Sequence, residues 1–269
     1  MKRNLITVLT LSTLILISFG GCKKGGLNVF SIEDDKNFGL QMEQEIAADP
    51  AQFPLLSRTQ YASSYAYLDN LKQEILNAGQ IEHKDDFQWK LYIVHDDAIQ
   101  NAFCTPGGYI YVYTGLIKYL DNASSLAGVI GHEMAHADRR HSTQQLTAQY
   151  GFSLMVSVIA GTTGQDQIAQ IVGSLSSLAY SRDHEKDADA HSVIYLCPTQ
   201  YRADGAADFF EKIENSGGSS VPAFLSTHPD PGTRVTNIRA KKTELGCTGN
   251  PSGSTDGTAY STFKAGLPN

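Results

Sequence analysis

Four cysteines stand in 269 residues, and no two are spaced as C-x-x-C. Neither a disulfide-held scaffold nor a four-cysteine zinc site is therefore expected. Prolines number only nine, and 41% of residues are hydrophobic and 18% charged, which excludes a collagen-like, coiled-coil or wholly disordered chain. Positive charge is in deficit: 21 Lys and Arg against 28 Asp and Glu leave a net charge of −7. Duplex DNA binding rests on phosphate neutralisation, so no nucleic-acid partner is expected. No internal repeat suggests a solenoid. No apolar run reaches the length of a comfortable membrane span, since Leu5 to Phe19 and Phe152 to Ile159 both fall short. The length is ample to bury a core.

The first of those apolar runs follows Lys2 and Arg3 and ends in Phe19-Gly20-Gly21-Cys22. A basic start, a short apolar stretch and small residues make a secretory signal peptide. The ending resembles a bacterial lipobox, with Phe19 where leucine is usual. The resemblance implies cleavage before Cys22, acylation of that cysteine and membrane attachment through the lipid, since each buried methylene contributes about 0.8 kcal/mol. Loss of Lys2 and Arg3 would leave the mature chain at −9, so anchoring would rest on Cys22 rather than on attraction to anionic lipid. Cys197 and Cys247 both close helical segments and could pair in an oxidising compartment, leaving Cys104 free.

Hydrophobic periodicity organises the rest. Ser31-Ile32-Glu33-Asp34 caps a helix running to about Ala48. A second helix covers Tyr61 to Asn77, and Phe87 to Val94 alternates as a strand. Pro106-Gly107-Gly108 is a turn before a strand from Tyr109 to Val112. Helices are then expected over Ser124 to about Arg140, with Ser124 or Ser125 as cap, over Phe152 to Ile159 as a buried core element, from about Gln165 into Ile194, over Ala203 to Asn215, and over Gly232 to Leu245. Residues 215–220 read as a Gly/Ser loop and residues 248–269 as a flexible tail. A few strands and many helices predict an α+β fold. Residues 1–21 form the signal peptide, 22–30 a tether and 31–247 the single domain.

Chemistry concentrates in His132-Glu133-Met134-Ala135-His136. Residues i and i+4 share a helical face, so both imidazoles can reach one metal ion, and Glu133 stands where it can take a proton from activated water. A catalytic zinc needs a third protein ligand. The metzincin pattern would require a glycine at position 139 and a histidine at position 142, but Arg139 and Ser142 stand there; His141 is one place short and falls at a fraying helix end. The alternative is a carboxylate from another helix. Ser181-Arg182-Asp183-His184-Glu185-Lys186-Asp187-Ala188-Asp189 supplies Glu185 and Asp189 four residues apart. One can bind the metal while the other holds the free nitrogen of a ligand histidine. His83, His95, His184 and His191 carry no such spacing and read as ordinary residues.

Together the two motifs resemble metallopeptidase family 48 of the gluzincins, the family of the CAAX prenyl protease. Asn101 to Gly108 before the motif helix and Ser226-Thr227-His228-Pro229 after it carry the resemblance over roughly residues 30–245. The small lipoprotein members of bacterial envelopes are the most similar. The resemblance implies a mainly helical, zincin-like α+β domain with a small sheet whose edge strand lines the active site. It implies one Zn2+ per chain held by His132, His136 and Glu185, with Glu133 as general base and Asp189 orienting a histidine. His228 would be a fourth ligand or latch, and Arg234 would steady the oxyanion of the attacked carbonyl. Asn101 and Ala102, with Tyr109, Ile110 and Tyr111, would pair with an extended substrate. Cys104 stands where the family commonly has a small apolar residue. The implied function is a tethered endopeptidase for unfolded or misassembled envelope proteins, facing the periplasm from the outer membrane; the alternative is a latent protease acting as a chaperone or assembly factor. Oligomeric state is not legible.

Overall fold

The structure, a computed structural model, describes residues 28–215, 223–229 and 232–268. The signal peptide, Cys22 and most of the expected Gly/Ser loop lie outside the described residues.

Helix α1, Ile32–Ala48, starts at a reciprocal cap: Ser31 accepts from the Asp34 amide, and the Asp34 carboxylate accepts from the Ser31 amide at 2.8 Å. Phe38, Met42 and Ile46 form its buried stripe. Helix α2, Ala62–Asn77, buries Tyr65, Leu68, Leu71 and Ile75. Strand β1 begins only at Lys90 and ends at Val94, because Trp89 adopts a φ of 45°. Its indole nitrogen donates to the His83 and Lys84 carbonyls, fixing a turn where the alternation alone predicts strand.

Two further strands complete a three-stranded sheet among the described residues. They are β2, Ala102–Thr105, and β3, Tyr109–Tyr113. Gly107 and Gly108, at φ 77° and 85°, make the hairpin between them. The order is β1-β3-β2, with β1 parallel and β2 antiparallel to β3. This corrects one expectation. Tyr109, Ile110 and Tyr111 lie in the central strand, where both rows of backbone donors and acceptors already have partners. The edge beside the motif helix is β2, whose four buried residues show no alternation from which to read a strand.

Helix α3, Thr114–Tyr119, leads into α4, Ala123–Asp138, which is buried along its whole length. Asn122, rather than a serine, caps α4 by accepting from the Ser125 amide. Close packing rests on glycine: a Cβ on Gly128 would stand 2.2 Å from the Ala206 nitrogen of α9, Gly205–Asn215. On the adjoining face Ser192 of α8, Arg182–Leu196, donates to the Gly128 carbonyl at 2.9 Å. This contact sets the acidic motif of α8 opposite the histidines of α4. Arg140, at φ 61°, then turns the chain into α5, His141–Tyr150.

The expected buried helix α6, Phe152–Ile159, is largely on the surface. Only Met155 and Val158 are buried, and Phe152 is 55% exposed; a uniformly apolar stretch does not reveal which side meets the core. The long helix expected from Gln165 breaks into α7, Gln165–Ser174, and α8, which Ser181 caps. A short α10, Phe224–Thr227, precedes α11, Arg234–Leu245, and a disulfide joins Cys197 to Cys247. The C-terminal segment is not a loose tail. It winds into α12, Tyr260–Ala265. Tyr260, Phe263 and Leu267 are buried, and the Tyr260 hydroxyl donates to the Ile117 carbonyl. No helix among the described residues is long and apolar enough to cross a membrane.

Candidate metal centre

Helix α4 presents His132 and His136 one turn apart, and their Nε2 atoms converge to 3.0 Å. Across from them Glu185, in the first turn of α8, brings Oε1 to 3.3 Å from His136 Nε2 and Oε2 to 3.4 Å from His132 Nε2. His228, just after α10, places Nδ1 3.0 Å from Glu185 Oε1 and 3.3 Å from His132 Nε2. A ligand atom of each of the four lies within 4.8 Å of the others. Tetrahedral zinc at bond lengths of about 2.0–2.1 Å needs donor separations of roughly 3.3 Å, so the donor set fits this ion. The chemistry of the set, three imidazoles and one carboxylate in a buried site, fits it too.

The electrostatics of the donors differ from one to the next. Burial opposes the charge of Glu185, yet His228, His132 and His136 hold its carboxyl well below the usual range. Burial pushes His136 well down, leaving the neutral imidazole that a metal requires. For His132 burial is outweighed by Asp189 and Glu185, which raise it to about 9. Glu133 is wholly buried and neither carboxylate oxygen accepts a hydrogen bond. His228 Nε2 lies 3.4 Å from its Oε1, and burial raises its pKa. A buried carboxylate without a hydrogen bond is costly; its persistence beside the donors marks a place for water or substrate.

Asp189 and Arg234 surround this core. Asp189 Oδ1 is 3.0 Å from His132 Nδ1, the nitrogen turned away from the donor cluster. Arg234 grips the same carboxylate through Nε at 2.8 Å and Nη2 at 2.5 Å. Its Nη1 reaches Glu185 Oε2 at 3.0 Å and the His228 carbonyl at 3.3 Å, and Phe210 lies under the guanidinium. In this geometry Arg234 clamps the carboxylates.

Asn101 and Ala102 are buried at the start of the β2 edge. Asn101 Oδ1 accepts from the Ala102 amide and the Thr227 hydroxyl. The Phe224 amide donates to the Gln100 carbonyl, and the Tyr180 amide to the Thr227 carbonyl, so α10 and the residues around Tyr180 close over the centre. Cys104 is buried near Ser142 and Tyr180, with burial pushing its thiol up. It is not among the clustered donors.

Sequence reasoning passes over two neighbours. Tyr180 stacks on His136 with ring centres 3.8 Å apart; its only signal is an aromatic next to the Ser181 cap. His141, which spacing alone places at a fraying end, is buried with Nδ1 3.1 Å from His136 Nδ1.

The sequence profile of peptidase family M48 matches residues 40–242. The chain belongs to this family. M48 metalloproteases are zinc-dependent, in keeping with the donor set. The chain is 31% identical over 147 residues to the mitochondrial metalloendopeptidase OMA1 of Arabidopsis thaliana, covering 55% of this chain and 30% of that one. It is 28% identical over 157 residues to the metalloprotease YcaL of Escherichia coli, covering 56% of this chain and 60% of the relative. The beta-barrel assembly-enhancing protease of Escherichia coli is 26% identical over 168 residues, 57% of this chain and 34% of that protein. The chain thus spans between 30% and 60% of the length of these three relatives.

Proposed function

We propose that this M48 metalloprotease is a zinc endopeptidase of the bacterial envelope, tethered through Cys22, that hydrolyses peptide bonds in unfolded or misassembled proteins. The observation that carries the catalytic part is the convergence of His132, His136 and Glu185 beside the buried Glu133 carboxylate, which accepts no hydrogen bond. The name of the beta-barrel assembly-enhancing protease relative supports the envelope setting, and the lipobox-like Cys22 supports the tether. The outer membrane, with the domain in the periplasm, is the location in this reading.

His132, His136 and Glu185 would hold one zinc ion per chain, and that ion would supply Lewis-acid chemistry to a carbonyl and to water. Glu133 takes the proton of the attacking water and delivers it to the leaving amine. Its raised pKa brings it nearer to neutrality, where a general base that must later act as an acid works best. Asp189 keeps His132 turned with Nε2 inward, and Arg234 holds Asp189 and Glu185 in register. The substrate lies extended along the β2 edge at Asn101 and Ala102, recognised through its backbone. Tyr109, Ile110 and Tyr111 support that edge from the central strand. Purified protein should cleave casein; Glu133→Gln and chelator should each abolish this. Equal cleavage by both proteins, untouched by chelator, would overturn the reading.

A second reading, a latent protease serving as chaperone or assembly factor, is favoured by His228. It is wholly buried among the donors, and α10 is hydrogen-bonded to Gln100 and Asn101 just before the β2 edge. His228 then fills the position that substrate and water need, and its withdrawal also removes one acceptor of Arg234 Nη1, the change that an oxyanion role for Arg234 requires. His228→Ala should raise cleavage several-fold; unchanged or lower cleavage with full zinc occupancy counts against the latch.

A further inference from the structure

We propose that His141 and Asp187 are positioning residues for the metal ligand His136, forming a relay that runs from the metal centre to the surface of α8; it rests on the zinc reading above. Nε2 of His136 faces the donor cluster. Its other nitrogen, Nδ1, points away and meets His141 Nδ1 at 3.1 Å, with the two rings nearly perpendicular at 73°. His141 Nε2 lies 3.3 Å from Asp187 Oδ2. Asp187 is fixed in turn by Arg139 Nε at 3.0 Å, and its other oxygen lies 3.5 Å from His191 Nδ1.

Proton bookkeeping gives this chain one direction. Two nitrogens 3.1 Å apart share a single proton. A neutral His136 that offers the Nε2 lone pair to a cation carries its proton on Nδ1. His141 must then accept at Nδ1, which places its own proton on Nε2, facing the Asp187 carboxylate. Each atom of the relay is satisfied in that tautomer pair and in no other that leaves His136 Nε2 free.

The helices explain why a relay is needed here and not at His132. Glu185 and Asp189 are one turn apart on α8 and share the face toward α4, so Asp189 reaches His132 directly. Asp187 lies between them in sequence and roughly 200° around the helix from each, so its carboxylate does not share their face. An imidazole from α5 spans the gap. Arg140 in the left-handed conformation ends α4 and brings His141 back over His136. The His184 ring stacks on His141 at 4.4 Å and 15°, while its Nε2 lies 3.1 Å from Gln144 Oε1; this holds the relay ring flat against α8. Both ligand histidines are thus tied to acidic residues of the helix that supplies the third ligand.

The test is zinc affinity of the purified full chain, measured by competition with a chromophoric chelator, with melting of the zinc-free protein as the check on folding. His141→Phe keeps the stacked ring but removes the acceptor, and its affinity should fall about 10- to 100-fold. His141→Asn places Oδ1 where Nδ1 stood and should recover most of that loss. Asp187→Asn should weaken binding on its own and add little in the His141→Phe background, because the two act in series. Wild-type affinity in His141→Phe, no recovery with Asn, or full additivity with Asp187→Asn would each overturn the relay. If His141→Phe does not fold, half-exposed Asp187 carries the test: unchanged affinity in Asp187→Asn overturns it. Failure of the wild-type chain to bind zinc would instead overturn the metal reading itself.

Discussion

Replacing Arg234 with methionine tests how the centre is held. Arg234 is 2% exposed, and its guanidinium faces two carboxylates, Asp189 at 2.8 and 2.5 Å and Glu185 at 3.0 Å. Methionine fills much of the volume over Phe210 but removes the guanidinium from both buried anions. Removing one partner of a buried pair costs about 3–5 kcal/mol, and the lost cation–aromatic contact falls within that range. For a domain of this size the melting temperature should drop by about 10 °C. The measurement is urea unfolding of zinc-free protein with the disulfide intact. Added zinc should restore stability more in the variant than in wild type, since the ion supplies positive charge to Glu185. Arg234→Lys, which keeps a charge but not the two-pronged grip, should fall between the two. A loss below about 1 kcal/mol, a size typical of exposed pairs, would refute the clamp.

Two further perturbations act away from the centre. The disulfide Cys197–Cys247 closes 50 residues of chain, so Cys197→Ser with Cys247→Ser should cost about 3–4 kcal/mol in reversible unfolding, with an unchanged midpoint contradicting the loop-closure account. Burial opposes the charge of Asp69, but hydrogen bonds from Arg58 and Lys72 outweigh it and hold its carboxyl below the ordinary value. A lowered folded-state pKa stabilises above the unfolded value and is lost as pH falls through the folded one. Asp69→Asn should therefore be less stable than wild type by about 0.5 kcal/mol at neutral pH, and the gap should close below about pH 4, the ordinary aspartate range. A gap that widens in acid would reverse the sign of the argument.

What can be read from the sequence follows from where local spacing decides geometry. His132, Glu133 and His136 lie within one turn of a single helix, so their common face is set by helical periodicity alone. Glu185 and Asp189 share a face for the same reason. Which carboxylate meets the donor cluster depends on how α8 packs on α4, a matter of Gly128 and Ser192 that spacing does not encode. His141 escapes notice because the left-handed Arg140 breaks the helix, so its position relative to His136 no longer follows from counting residues. β2 escapes it because Ala102, Phe103, Cys104 and Thr105 are all buried and leave no alternation. The C-terminal segment hides Tyr260, Phe263 and Leu267, spaced to form one buried stripe, behind glycine-, serine- and threonine-rich chain. In α6 the error runs the other way: apolar residues without a polar face suggest the core, but Phe152 and Val156 point outward.

The central claim is that His132, His136 and Glu185 hold a zinc ion for which Glu133 is the proton carrier. The most direct measurement compares wild type with Glu133→Gln, reading bound zinc and casein cleavage in the same samples. One zinc per chain in both proteins, with cleavage falling by about 100- to 10,000-fold in the variant, is the predicted result. Full zinc with undiminished cleavage in Glu133→Gln would contradict it.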